Sequence, residues 1–337
     1  TKKTNMEVRH LHLMSADPKN KIDLSINTHF SWPNLPIKPS MLDYLKFLKG
    51  HFDLNMPVLN TDMGNRNTSL SINNLNLYSN ISGFEESNNT IHLDKLDLLP
   101  EANAPLSLTG LDIKSNNSTT TNNLHNALLS VELNKACLKK DCYHNSDMKL
   151  IFDKLNQPNQ SFTNLFANIN RLSKTINQLH NKLNQASASE KAPLRKQIAA
   201  IENELNNANL YYYQFFINKE TKLLFRFKST SDTGNILANA VANWPQAENH
   251  SKKRWVTSPT INASIHVPTA LIKKFAPNSM KQVNILSNNQ CISASGNMLS
   301  TKIHYGSDNI TLNNQPLHQC LFAKENKHAS GGNKDIH

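Results

Sequence analysis

Apolar residues along this chain come in spaced pairs. In Leu70–Ser79 (LSINNLNLYS), Ile91–Pro100 (IHLDKLDLLP) and Leu106–Ser115 (LSLTGLDIKS), two aliphatic residues sit two apart. Two more follow after a three-residue step. Leu70 and Ile72 share one face of a strand, because side chains alternate with period two. A regular strand places Leu75 and Leu77 on the opposite face, since an odd offset flips the side chain. Either both faces are covered, or one extra residue bulges each strand and restores the phase. Asn74, Lys95 and Gly110 stand where such a bulge falls, and Leu150, Phe152 and Leu155 show the same frame. The stretches begin at residues 70, 91 and 106. That spacing is too irregular for a solenoid and suits successive antiparallel strands with loops of different length.

The rest of the chain alternates between the two periods. Ile22, Leu24, Ile26 and Phe30 predict a half-buried strand. Trp32–Pro39 (WPNLPIKP) holds three prolines and is unfit for a sheet interior. Ser40 is placed to cap a short helix, MLDYLKFLK, which Gly50 is placed to end. Phe52, Leu54, Met56 and Val58 alternate again.

Phe162, Leu165, Ile169, Leu172, Ile176, Leu179 and Leu183 then run at heptad spacing, a seam about 34 Å long as a helix. QASASEKAP interrupts it, with Pro193 suited to a first helical turn. Leu194, Ile198, Ile201, Leu205, Ala208 and Tyr212 resume the seam. Two such helices make an antiparallel hairpin. Its seams zip together or pack on the sheet, and the sharper alternative is a coiled-coil homodimer. Beyond Tyr213, Leu223–Phe227, the STSDTG turn and Ile236–Trp244 predict a hairpin of strands. Ile261–Val267, a short helix after Pro268 and two strands around Gly306–Asn309 follow.

These elements predict an α+β fold: a long, twisted, mostly antiparallel sheet with bulged strands, packed with an antiparallel helical hairpin. Residues 1–160 are read as a β-rich N-terminal lobe and 161–217 as the helical hairpin. Residues 218–323 are a β-rich C-terminal lobe continuing the sheet, and 324–337 a polar, disordered tail.

With 337 residues, 38% hydrophobic and 18% charged, the chain can bury a sizeable core. Its formal charge is +11, from 36 Lys+Arg against 25 Asp+Glu. The cations are spread thinly, with no basic arm, so a solvated surface is the reading and nucleic acid is disfavoured. The Tyr211–Phe216 aromatic run is read as core packing rather than a stacking platform. No run approaches the roughly 20 apolar residues of a membrane span.

The four cysteines fall into two pairs, Cys137 with Cys142 and Cys291 with Cys320. Metal binding and free thiols are the alternatives, but no Cys-x-x-Cys spacing exists. Two disulfides, and hence an oxidising compartment, are the preferred reading. No nucleophile elbow, zinc-protease, phosphate-loop or dinucleotide motif is present, so no catalytic residue and no cofactor is assigned. His10-Leu-His12 resembles half a metal site, and surface histidines explain it better. Asp94 with Asp97, and Glu85 with Glu86, are read as solvated rather than as acid–base pairs.

Ile303-His-Tyr-Gly-Ser-Asp-Asn-Ile-Thr-Leu-Asn313 resembles the closing hairpin of the YdgA-like bacterial envelope proteins, and Thr260–Phe275 resembles the strand, proline and helix before it. The resemblance covers roughly residues 70–317 and departs at Asn314, where the family has glycine. It implies an exported protein of uncharacterised function with no catalytic residues to carry over. The family's hydrophobic export segment is absent here, so the start is expected to follow processing or a cut from a longer chain. The expected function is therefore that of a periplasmic or secreted, non-enzymatic protein binding a lipid-like or envelope ligand. A secreted, host-directed scaffold factor, dimeric through its hairpin, is the alternative. That interaction seam would comprise Leu165, Ile169, Leu172, Ile176, Leu179, Leu183, Ile198, Ile201 and Leu205.

Overall fold

The fold is that of a computed structural model, which describes residues 2–15, 17, 20–37, 41–62, 69–83, 85–99, 105–120, 124–138, 141–157, 160–244, 259–306 and 309–321. Its N-terminal strands are β1 (Lys2–Met14), β2 (Lys21–Leu35), β3 (Lys49–Asp62), β4 (Ser69–Ser82), β5 (Glu86–Leu99), β6 (Leu106–Thr119), β7 (Leu124–Leu138) and β8 (Asp141–Asn156). Helix α1 (Met41–Phe47) joins β2 to β3. Helices α2 (Gln160–Gln185) and α3 (Ala188–Phe215) stand between β8 and β9 (Lys222–Ser231). Strands β10 (Gly234–Asn243) and β11 (Thr260–Pro268) lead to α4 (Thr269–Phe275) and α5 (Met280–Asn288). The chain closes through β12 (Ser293–Ser295), β13 (Met298–Gly306), β14 (Asn309–Leu312), β15 (Gln315–Pro316) and α6 (Leu317–Leu321).

All fifteen strands form one sheet in chain order, with β12 beside β13. Each pairs antiparallel with its neighbours. The α+β architecture with a helical hairpin and a long antiparallel sheet is thus as the pattern predicts. The sheet passes unbroken from the N-terminal strands through β9 to the C-terminal ones. The expected 324–337 tail lies outside the described residues.

The bulges form a line. Pro57, Asn74, Asp94, Gly110, Asn134 and Asn145 sit opposite one another across β3 to β8, each between regular ladder pairs. On alternate strands the residue in this line is left-handed: Asn74 at φ 52°, Gly110 at 63° and Asn145 at 49°. Asn and Gly tolerate that region best. A Cβ on Gly110 would also lie 2.2 Å from Asn134 Nδ2. Lys95, expected to bulge, instead pairs normally with Asn73 and Thr109. The constant register on both sides places the interruption at Asp94. Lys154, at φ 60°, sits in the Leu150–Leu155 frame beside a further register shift. Strand β2 keeps strict period two, and the register slips on both its sides, at Val8/Leu11 and at Asp23/Ser25.

Two local expectations need correction. Gly50 does not end α1; it lies in β3 opposite Phe30, where a Cβ would meet the His29 carbonyl oxygen at 2.1 Å. Pro193 is inside α3 rather than at its start. The start is set by Ser187 and Glu190, whose carboxylate accepts the Ser187 N–H at 3.0 Å and its hydroxyl at 2.5 Å. β2 itself continues through Trp32 and Pro33, but past Ser31 it pairs with β1 alone, where proline is tolerated.

The helical hairpin is stitched to the sheet at its root. Asn156 N–H donates to Phe216 O at 2.8 Å, and its side chain donates to Phe215 O and Ile217 O. Asn218 and Thr221 donate to Lys154 O. Phe162 packs against Phe215 and Phe216, and α2 reaches α1.

Candidate functional site

Across the N-terminal two-thirds of the sheet, the spaced pairs become rows. Leu54, Leu77, Ile91, Ile113, Val131, Met148 and Phe227 lie opposite one another from β3 to β9. Six strand spacings make this row about 29 Å long. Met56, Leu75, Leu93, Leu111 and Leu133 form the row beside it.

Hydrogen bonds fix which face these rows occupy. His92 bonds Asp94, and Lys95 pairs with Asp97 at 2.7 Å. Bonds between residues two apart require a shared face, so His92, Asp94, Lys95 and Asp97 crowd one side. Ile91, Leu93, Leu96 and Leu98 are left for the other. The extra residue at Asp94 therefore restores the phase, and the sheet has one continuous apolar face. Leu93 is 5% exposed and Met56 9%, the most buried apolar side chains among β1–β8 in the described residues. Their row-mates are half-buried.

The opposite face carries a polar chain across β3–β6. Asn55 donates to Asn76 at 2.5 Å, Asn76 to Asn74 at 2.8 Å, and Asn74 to Asp94 at 2.8 Å. His92 Nε2 then meets Asp94 at 2.9 Å and its Nδ1 meets Asp112 at 2.8 Å. The hydrogen bond to Asp112, then that to Asp94, raises the His92 pKa above its ordinary value. The Asn74 amide, and then His92, hold Asp94 below the usual carboxylate value. Both ring nitrogens are engaged by carboxylates, so neither is free to take a substrate proton or to ligate a metal. The cluster braces β4, β5 and β6.

The residues singled out by sequence are distributed widely. Cys137 and Cys142 are bonded at the β7–β8 turn, and Cys291 and Cys320 near the C-terminal edge; their Cα separations are 4.2 and 5.8 Å. There are no free cysteines. The seam residues lie in the hairpin, with Leu172 1% and Ile198 5% exposed. Leu165, Ile169, Ile176, Leu179, Leu183, Ile201 and Leu205 are half-buried there. Asp94 and Asp97 do not form a carboxylate pair: Asp97 takes Lys95 and the Ser107 hydroxyl. His12 bonds Asp23 at 2.9 Å, and the His10 side chain lies outside the described residues. Among the described residues, no group of three or more His, Cys, Asp or Glu could hold a metal ion. No described helix is long and apolar enough to cross a membrane.

Sequence reading passed over His92 and Asp112. The available signal was the register itself: His92 stands between the members of the first aliphatic pair of β5, Ile91 and Leu93, and Asp112 between those of the second pair of β6, Leu111 and Ile113, so antiparallel pairing sets them opposite.

The family described as "Bacterial protein of unknown function (DUF945)" matches residues 20–319. The chain belongs to this family. The match takes in the whole apolar face from β3 onward, the hairpin and the Cys137–Cys142 disulfide, and it ends one residue before Cys320. No curated protein and no solved structure matches the chain.

Proposed function

We propose that this DUF945 chain is an exported, non-enzymatic binding protein whose apolar sheet face takes the hydrocarbon part of a lipid-like envelope ligand. The observation carrying this reading is the unbroken apolar row from Leu54 to Phe227, half-buried along a single sheet. A strip about 29 Å long matches an extended acyl chain better than a compact polar metabolite. The two disulfides fit an oxidising compartment outside the cytoplasm. The likeness of Ile303–Asn313 to the YdgA-like proteins supports an envelope location. The hairpin dimer is not advanced as a second reading, because the seam packs within the hairpin.

The test is binding of a long-chain fluorescent fatty acid, with native mass spectrometry of protein purified from bacteria. Bound lipid, displaced by the probe, is the expected result. Leu77→Lys or Ile113→Lys on the apolar face should lose probe binding, while Glu132→Lys on the polar face retains it. Thermal melting separates lost binding from lost folding. Equal loss from both faces, or no lipid and no probe binding by folded protein, overturns the proposal.

A further inference from the structure

The aliphatic pattern of this sheet reads the same in both chain directions: two apart, three apart, two apart. An antiparallel neighbour with the same pattern therefore meets it aliphatic to aliphatic. Leu70, Ile72, Leu75 and Leu77 of β4 face Leu98, Leu96, Leu93 and Ile91 of β5 in this way. The residues of the interrupted line also meet across the ladder, since Asn73 and Asn74 face Lys95 and Asp94.

Strand β1 carries the same pattern at Met6, Val8, Leu11 and Leu13. Its one paired edge is taken by β2; among the described residues no strand pairs with the other. The four aliphatic positions are 51%, 39%, 43% and 49% exposed, against 5% for Leu93 in the middle of the sheet. Leu11 also continues the long apolar row, through Ile26 to Leu54.

We propose that the open edge of β1 pairs antiparallel with β1 of a second copy of this chain, setting Met6 against Leu13 and Val8 against Leu11 of the other copy. Positions 9 and 10 then face 10 and 9, reproducing the arrangement of the interrupted line within the sheet. A bulge on an edge strand usually discourages pairing. Here the second copy brings the same bulge at the matching place. Two identical edges running antiparallel are related by a two-fold axis, so the contact closes as a dimer and does not propagate. The apolar face of one copy becomes continuous with that of the other. The pairing holds whether or not that face binds lipid.

The experiment is sedimentation equilibrium of the full chain over a range of concentrations. Wild type should show a concentration-dependent dimer. Val8→Glu and Leu11→Lys should each weaken dimerisation, roughly tenfold or more. Mixing the two variants should restore it, because the introduced carboxylate and ammonium face each other only in this register. Unchanged circular dichroism confirms that each variant is folded. A chain monomeric at every concentration overturns the proposal. So does a dimer surviving both substitutions, which another surface such as the hairpin would then hold, or a mixture no stronger than its parts.

Discussion

The two ends of the sheet are finished in different ways. At the C-terminal end, small elements fold back over the last strands. Cys291 and Cys320 are fully buried and bonded, Leu299 and Val283 are nearly buried, and the Asn289 amide donates to the carbonyls of Gln319 and Cys320. At the N-terminal end, β1 presents Met6, Val8, Leu11 and Leu13 to solvent with nothing folded over them in the described residues. A single sheet of this length closes an edge either with its own chain or by adding strands. One end uses a cross-linked local cap, and the other keeps the pattern that invites another strand.

Removing the cap's cross-link is expected to have the largest effect. Cys291→Ser with Cys320→Ser opens a loop of 29 residues, a loss of about 3.5 kcal/mol on the chain-entropy model. The same change at Cys137 and Cys142, separated by 5 residues, should lose about 2 kcal/mol. Urea unfolding of the two double variants ranks them, and the reverse order would show that the C-terminal cap is held by packing alone.

Aliphatic truncation sharpens the contrast between middle and edge. Leu93→Ala, at a position 5% exposed, should cost about 3 kcal/mol through lost burial and a residual cavity. Leu11→Ala, 43% exposed, should cost less than about 1 kcal/mol in dilute, monomeric protein. Equal costs would mean that β1 is covered within one chain.

The bulge line gives a third, smaller effect. Gly110→Ala places a side chain at φ 63°, which costs about 1–2 kcal/mol. It also drives the new Cβ into Asn134. Adding Asn134→Ala should relieve the contact but leave the backbone strain. Full recovery in the double variant would mean that the left-handed geometry is not needed at this row.

Much of this was legible beforehand because it is local. Odd spacing between aliphatic pairs forces either two covered faces or a bulge, and residues that tolerate positive φ marked two of the sites, Asn74 and Gly110. Strand order was not legible in this way; in the structure it follows the chain, as short connections between neighbouring strands favour. What stayed hidden depends on partners in space. Lys95 and Asp94 are adjacent, and only the register with Asn73 and Thr109 decides between them. Gly50 reads as a helix stop along the chain, yet its requirement comes from the backbone of β2. The His92 brace is invisible in either strand alone, because Asp112 lies on the next one. The start of α3 is legible as the Ser-x-x-Glu box Ser187–Glu190, which lies closer to the N-terminal end of the helix than Pro193.

A pair of histidines tests burial against exposure with the smallest expected effect. His92 is half-exposed between two carboxylates, and its pKa lies above the ordinary 6.5. The stability it adds is complete below 6.5 and fades as pH rises through its raised value. His125 is 5% exposed near the hairpin root, where burial pushes its pKa below 6.5 against the opposing effect of a hydrogen bond to the Ser118 backbone. The native state then binds fewer protons at this site than the unfolded chain, so stability falls as pH drops through 6.5. Urea midpoints measured from mildly acid to mildly alkaline pH should lose part of their alkaline decline in His92→Gln and part of their acid decline in His125→Gln. If both substitutions changed the same limb, the buried and the exposed imidazole would not differ in the state they favour, and burial would no longer explain the opposite shifts of these two histidines.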